Sequence, residues 1–326
     1  MAEASRYMRG ARKHPLLASW VDSAVALHTN WQGDYAAALR HLEPILGELR
    51  TSNQLFTLVQ VSSHYGITLG GAGHYARALS FLDDSIAVTE SIGDRFWRAR
   101  MWNTRGWILQ ELGAFDEAHD ANRRCLDIAR QAGSLRMTPE LIGNAACNLA
   151  DVALARGDLA GTEPYLAEVE GILADPRNEW MTWRYRMHYE LTAAELALAR
   201  GDLARARELV ESCLIAAQRT NSRKYVARAT RLLAACHISA GDSIEGERLL
   251  AAALRTARAV GNPPQLWQTL VAHGRALQHL GRDDEATGAW REAQSAMTSV
   301  AQQLPTDLQT TLRRSPIATM LGELLK

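Results

Sequence analysis

Small and apolar residues recur along the chain in pairs of helix-length segments that a glycine separates. The clearest pair is FWRARMWNTRGWILQELGAFDEAHDANRRCLDIARQA, residues 96–132. This pattern predicts two helices joined by a tight turn at its central glycine. The residues that mark the hairpin are Trp102, Gly106, Gly113, Phe115, Ala118 and Ala129.

The same spacing of small residues around a turn glycine recurs over most of the chain. Seven turn glycines follow one another at spacings of 40, 40, 44, 44, 40 and 40 residues. A Gly or Ala stands seven residues before each of them, and a small residue stands five residues after each. The sequence therefore predicts seven repeats, whose turn glycines are Gly33, Gly73, Gly113, Gly157, Gly201, Gly241 and Gly281.

The small residues predict where two helices touch. Helix axes approach to about 8–10 Å where the side chains at the crossing are small, so Gly106 and Ala118 are expected to mark that contact. A single hairpin buries part of its apolar surface, and stacking on its neighbours buries the rest. The predicted fold is all-α without strands, a right-handed α-solenoid of seven helix hairpins with terminal capping helices.

The ends and the longer spacings predict the domain organisation. Residues 1–16 are expected to form a partial N-terminal helix or cap, residues 17–303 the seven repeats, and residues 304–326 capping helices. The two 44-residue spacings place their extra residues in loops, at 132–140 and 174–179. An Asp directly after four of the turn glycines is expected to cap the second helix.

Composition narrows the classes of partner. Thirty-six basic and 36 acidic residues give a formal net charge of zero, which favours neither nucleic acid nor an anionic membrane as partner. No apolar run approaches the roughly 20 residues that span a bilayer, and the charged N-terminus does not resemble a signal peptide. We therefore expect a cytoplasmic protein, with its four cysteines as buried core residues.

No motif for catalysis, cofactors or metals is present. The sequence has no HExxH, GxSxG or GxGxxG motif, no CxxC pair and no Cys–His arrangement with metal-ligand spacing. Paired acids such as Asp83 and Asp84 fall at helix starts or on outer helices, where a solvated role is expected. We predict a non-enzymatic protein without catalytic residues, cofactor or metal.

The hairpin pattern resembles the tetratricopeptide repeat (TPR), in which small residues mark the helix contact and a glycine marks the turn. The phrases RFWRARMWNTRGWILQELGAFDEA, NLADVALARGDLA, WMTWRYRMH, RKYVARATRLLAAC and LPTDLQTTLRRSPI resemble the C-terminal TPR region of bacterial multidomain signalling ATPases. In that family the region follows a cyclase-like, kinase or transcription-activator head and a nucleotide-binding domain. This sequence has no phosphate-binding loop. The resemblance implies a sensor or regulatory segment.

In a TPR array the first helices line the concave face, at fixed offsets before each turn glycine. Those offsets predict a polar groove with aromatic anchors, whose asparagines would bond an extended peptide backbone and whose arginines would pair with carboxylates. Asparagine is a poor helix former, so its recurrence there favours binding over a plain solvated face. The candidate groove residues are Arg100, Asn103, Trp107, Asn144, Asn148, Asp151, His188, Glu195, Arg228 and Arg231.

Three classes of function follow from this pattern. The first is a protein- or peptide-binding scaffold in bacterial signal transduction, whose partner is a segment in the groove or the chain's own upstream nucleotide-binding domain. The second is a small-molecule or peptide-pheromone receptor that uses the same groove. The third is a passive oligomerisation scaffold that forms homo-oligomers.

Overall fold

The computed structural model describes residue 10, residues 15–132 and residues 136–326. From residue 15 onward, with 133–135 left aside, the chain forms sixteen α-helices and no strand. The prediction of an all-helical solenoid is confirmed for this part of the chain. The partial helix predicted at 1–16 falls almost wholly outside the described residues, and Pro15 is the first residue of the first described helix.

Fourteen of the helices form seven consecutive hairpins. The first helices are α1 (Pro15–Trp31), α3 (Leu55–Gly71), α5 (Arg95–Glu111), α7 (Thr138–Ala155), α9 (Thr182–Ala199), α11 (Arg223–Ser239) and α13 (Pro263–His279). The second helices are α2 (Tyr35–Leu49), α4 (Tyr75–Ser91), α6 (Phe115–Gln131), α8 (Leu159–Ala174), α10 (Leu203–Arg219), α12 (Ser243–Val260) and α14 (Asp283–Ala301). Two short helices, α15 (Thr306–Arg313) and α16 (Pro316–Leu324), follow the last hairpin.

The seven turn glycines share one backbone conformation. All have φ between 72° and 90°, a left-handed region that glycine adopts without the steric cost of a Cβ. At the third turn the N–H of Gly113 donates to the Gln110 carbonyl at 3.0 Å, and the N–H of Ala114 donates to the Leu109 carbonyl at 2.9 Å. This paired bonding ends the first helix and sets the direction of the second.

Side-chain caps begin several of the helices, as the sequence predicts. The aspartates that follow the turn glycines accept hydrogen bonds from backbone N–H groups three residues later, which would otherwise lack a helical partner. Ser315 caps α16 in the same way, and Pro316 occupies its first position. The capping aspartates are Asp34, Asp158, Asp202 and Asp242.

The small residues of the first helices make room for larger side chains of the second. A Cβ at Gly66 would lie 2.6 Å from Leu82 Cδ2, and one at Gly106 would lie 2.3 Å from Asn122 Nδ2. The side chain against Gly106 is thus that of Asn122, one turn beyond Ala118. Ala118 itself is fully buried. The predicted close contact is present, with a different partner at its centre.

The array bends until its two halves touch. Arg223 Nε, at the start of α11, donates to the Gln32 carbonyl at 2.6 Å. Asn262 Nδ2, at the start of α13, donates to the Gly71 carbonyl at 2.9 Å, across 191 residues of sequence. The ends of α1 and α3 therefore rest against the beginnings of α11 and α13, and the superhelix closes within one turn.

The turn glycines also allow close approach across this closure. A Cβ at Gly73 would lie 2.6 Å from Pro263 Cγ, and one at Gly113 would lie 2.8 Å from Ser315 Cβ. Apolar side chains from both halves, such as Leu69 of α3, belong to one continuous core. The closure thus combines apolar contacts with a few hydrogen bonds.

Replacing turn glycines tests this contact. Gly113→Ala and Gly201→Ala impose the same left-handed strain, because φ is 79° and 78° at the two positions, and each should lose about 1–2 kcal/mol of unfolding free energy. A Cβ at Gly201 would have no atom within 4 Å, whereas a Cβ at Gly113 would lie against Ser315. Gly113→Ala should therefore lose about 1–3 kcal/mol more, as measured by urea denaturation. Equal losses would show that the third turn does not touch the C-terminal helices.

Candidate functional site

The closed superhelix surrounds a cavity of about 570 Å³. All seven first helices contribute to its wall, and α16 closes one side with Pro316, Ile317 and Met320. The structure brings nine of the ten predicted groove residues to this cavity, and Arg231 is not among those that line it. The nine are Arg100, Asn103, Trp107, Asn144, Asn148, Asp151, His188, Glu195 and Arg228.

Two of the predicted asparagines are held by a third that the sequence reasoning missed. Asn103 Nδ2 and Asn148 Nδ2 both donate to Asn122 Oδ1, at 3.1 and 3.0 Å. Asn122 is fully buried on α6, and its Nδ2 donates to the Ala118 carbonyl at 2.8 Å. We call Asn103, Asn122 and Asn148 the asparagine cluster.

The third predicted asparagine belongs to a buried charge network. Asn144 Nδ2 donates to both the main-chain carbonyl and Oε1 of Glu140, at 2.7 and 3.1 Å. The Glu140 side chain is fully buried and accepts from Arg100 Nη1 at 3.2 Å and from Arg184 Nη1 at 3.0 Å. Two arginines and one carboxylate leave this part of the wall positively charged.

A second ionic network lies further along the first helices. Asp151 accepts from Thr192 Oγ1 at 2.6 Å, from Arg228 Nη2 at 3.3 Å and faces His188 Nε2 at 2.8 Å. Burial acts to raise the pKa of Asp151, but Arg228 and the other partners hold it well below the usual range for aspartate. Arg228 also bonds Glu195 at 3.1 Å. The protein's own carboxylates thus occupy the guanidinium that we expected to meet a ligand carboxylate.

Arg231 lies outside the cavity wall. Its Nη1 donates to Gln265 Oε1 at 3.4 Å, and Gln265 itself lines the cavity. Burial lowers the pKa of Arg231 to about 10, which still leaves the guanidinium charged near neutral pH. Its geometry suits support of Gln265 more than direct contact with a ligand.

Where the two halves of the array meet beside the cavity, polar and aromatic side chains contact one another. Glu111 of α5 accepts from Trp107 Nε1 at 2.9 Å, from Tyr75 OH at 3.0 Å and from Lys224 Nζ of α11 at 2.8 Å. Lys224 Nζ also lies 4.3 Å from the centre of a Trp107 ring, a cation–π contact. The predicted residue Trp107 therefore takes part in both the wall and the closure.

Trp31 and Trp183 meet edge to face, with ring centres 5.4 Å apart. They come from α1 and α9, four repeats apart along the chain. Near them, Asn30 Oδ1 and Trp31 Nε1 are buried without a hydrogen-bond partner among the described residues. An unpaired buried polar atom is costly, so these groups favour a ligand that completes them.

Sequence reasoning missed the wall residues that closure supplies. Asn30, Trp31, Trp183, Lys224 and Met320 line the cavity although their repeats are distant in sequence. The dense aromatic stretch at 180–189 was a usable signal for Trp183. Nothing in the spacing pattern pointed to α16, because its position depends on the closure.

One serine–histidine pair has the geometry of a nucleophile and base. Ser23 Oγ lies 2.6 Å from His64 Nδ1. Both residues are almost fully buried, and burial with the nearby charge of Arg100 lowers the pKa of His64 to about 3. The pair is therefore a buried neutral contact that a substrate does not reach. The four cysteines are likewise buried and unpaired, and burial raises the pKa of Cys125 to about 12.

The repeat geometry agrees with a known family. The model of the MalT-like TPR region matches residues 13–297. The chain belongs to the MalT-like TPR region family. The seven hairpins are TPR repeats, and the resemblance to the TPR region of signalling ATPases is confirmed. Comparison with curated proteins finds no match.

Solved structures share the fold over most of the chain. The Rap conjugation gene regulator of plasmid pLS20, solved with the Phr* peptide, is 14% identical with a TM-score of 0.69, over 90% of this chain and 77% of that one. A Rap protein solved with the competence and sporulation factor is 17% identical with a TM-score of 0.62, over 95% and 87%. NprR solved with its cognate peptide NprX is 14% identical with a TM-score of 0.59, over 90% and 87%.

Among the helices that the structure describes in this TPR array, none has the length and hydropathy that crossing a bilayer requires.

Substitution of two buried carboxylates should change the stability of the protein at neutral pH in opposite directions. Asp151 has a lowered pKa, so its contribution to stability is present above the unfolded pKa of about 4 and is lost as pH falls below it. Asp151→Asn should therefore be less stable than wild type at about pH 7, and the gap should narrow toward about pH 3. Urea denaturation across this range measures the gap.

Glu190 provides the matched contrast. Burial raises its pKa, and its Oε2 has no hydrogen-bond partner among the described residues. Ionised Glu190 thus opposes folding, and Glu190→Gln should be more stable than wild type at about pH 7, with no difference below about pH 4. If both variants changed stability in the same direction at neutral pH, the two environments would be misassigned.

Proposed function

We propose that this TPR array binds a short, extended peptide segment in its central cavity. The observation that carries the proposal is the fixed orientation of Asn103, Asn144 and Asn148. Their Nδ2 atoms donate to groups of the protein, so their Oδ1 atoms remain as acceptors on the cavity wall. A peptide backbone offers N–H donors at regular intervals, which suits a row of such acceptors.

The size and apolar surface of the cavity support a ligand of this class. Its volume of about 570 Å³ falls within the roughly 300–1,000 Å³ typical of ligand sites. Trp31, Trp107 and Trp183 contribute large, rigid apolar surfaces to the wall. Aromatic side chains of this kind bind apolar peptide side chains at low entropic cost.

The charges of the wall support backbone recognition over ion pairing. Arg100 is bonded to Glu140, and Arg228 is bonded to Asp151 and Glu195. We propose that these arginines hold the wall in shape, with Arg231 behind Gln265. Affinity would then depend on hydrogen bonds and burial, and would change little with salt.

The related structures support a peptide over a small molecule. The solved Rap and NprR proteins, which share this fold, contain the Phr* peptide, the competence and sporulation factor or the NprX peptide. Membership in the MalT-like TPR region family supports a sensor or regulatory role in bacterial signalling. We propose that the array acts there without catalysis, in the cytoplasm, and controls the output of a linked or separate signalling domain.

Selection from a displayed library of random short peptides on the purified chain tests the proposal. Asn148→Ala should weaken binding of the selected peptides by about 1–2 kcal/mol, since it removes one acceptor from the cavity wall. It should lower the melting temperature little, because Asn103 still donates to Asn122. Arg123→Ala, at an exposed position of α6, is the matched control and should bind as wild type.

Three outcomes would contradict the proposal. Selected peptides that bind Asn148→Ala normally and lose affinity to Arg123→Ala would place the site on the outer face. A chain that yields no peptide but retains a small metabolite would favour the receptor alternative. A stable homo-oligomer with no ligand of either kind would favour the scaffold alternative.

A further inference from the structure

One position in the second helices is apolar in six repeats and polar in the third. This position stands nine residues after each turn glycine, and in the repeats whose first helix has a glycine as its small residue it packs against that glycine. Asn122 occupies it in repeat three, beside Gly106. The equivalent residues of the other repeats are Leu42, Leu82, Leu166, Val210, Leu250 and Trp290.

Packing alone does not require an amide here. In repeat two, Leu82 lies against Gly66 just as Asn122 lies against Gly106, with a similarly close approach to the glycine. Both side chains are fully buried. Because a buried polar group opposes folding unless it is hydrogen-bonded, the amide at position 122 has a role that leucine does not supply.

The hydrogen bonds of Asn122 fix which way its amide points. A main-chain carbonyl can only accept, so the nitrogen of Asn122 faces the Ala118 carbonyl. Asn122 Oδ1 therefore points toward α5 and α7, where it accepts from both Asn103 and Asn148. Gly106 makes this possible, since any side chain at that position would collide with the amide.

The same bonds fix the two residues on the cavity wall. Asn148 Nδ2 donates to Asn122 Oδ1 at 3.0 Å and approaches the Asn103 carbonyl at 3.5 Å, so both of its protons face protein acceptors. Asn103 Nδ2 also donates to Asn122. Each side chain is thereby turned so that its nitrogen faces the protein and its oxygen is left for the cavity.

We propose that Asn122 is a positioning residue that orients Asn103 and Asn148 as hydrogen-bond acceptors, so that the cavity selects a peptide with main-chain N–H groups at both positions. This inference rests on the peptide-binding function proposed above and specifies its ligand. A proline or an N-methylated residue has no N–H to donate. Such a residue opposite Asn103 or Asn148 would leave that acceptor without a donor, and a peptide that contains it there should bind weakly.

The first test needs no ligand. In side-chain amide ¹⁵N spectra of the free protein, the Asn148 Nδ2 protons should exchange with water at least about 10-fold more slowly in wild type than in Asn122→Leu. Leu82→Met, at the equivalent position of repeat two, is the packing control and should match wild type. Equal exchange in wild type and Asn122→Leu would overturn the orienting role. Asn122→Ala provides the same comparison if the leucine variant does not fold.

The second test uses the tightest peptide selected on the wild-type chain. Asn122→Leu should bind it at least about 10-fold more weakly. Its melting temperature should change little, because the burial of the leucine offsets the hydrogen bonds that Asn103 and Asn148 lose. N-methylation of the peptide, one residue at a time, should weaken binding to wild type strongly at two positions and weaken binding to Asn122→Leu less. Unchanged affinity of Asn122→Leu would overturn the inference while leaving the peptide-binding function intact.

A selection that yields no peptide would count against the proposed function, and the exchange measurement would still decide the role of Asn122. If slow exchange of Asn148 persisted in both Asn122 variants, the inference would fail on that result alone. The two experiments therefore separate a failure of the function from a failure of the positioning role.

Discussion

The left-handed turn glycine is the constraint on which the rest of the structure depends. Seven residues with φ between 72° and 90° end the first helices in the same way, so the second helix of each hairpin leaves the turn in a similar direction. Identical small rotations accumulate along a solenoid. Here they bring the ends of the first repeats against the beginnings of the sixth and seventh.

Closure turns an open groove into a cavity that all seven first helices line. An open concave face would present the polar residues of neighbouring first helices to solvent, whereas the closed array adds Trp31, Trp183, Lys224 and α16 to the same space. The cost is that charged groups enclosed in this way need partners inside the protein. The Glu140 and Asp151 networks supply them, and in the asparagine cluster the Nδ2 atoms of Asn103 and Asn148 are bonded within the protein.

The sequence was sufficient for most of what depends on local geometry. Turn glycines, aspartate caps and offsets along the first helices repeat within each unit, so nine of ten groove residues could be placed on the cavity wall in advance. Closure could not be predicted, because the contact between Asn262 and Gly71 depends on rotation accumulated over five repeats. The pairing of Arg228 was missed for a related reason, since its partners come from two other helices. Asn122 could be recognised in the sequence as a polar residue at a position that is apolar in the other repeats. Its role could not be inferred without the position of Asn148 in the structure.

A disulfide across the closure tests the central claim most directly. A Cβ at position 33 would lie 3.7 Å from Arg223 Cβ, within the roughly 3.5–4.5 Å of disulfides. The Gly33→Cys, Arg223→Cys double variant should cross-link within one chain on mild oxidation. Four free thiols, those of the native cysteines, would then be counted after unfolding. Six free thiols, four native and two introduced, would show that the two halves do not meet in solution and would contradict the closed cavity.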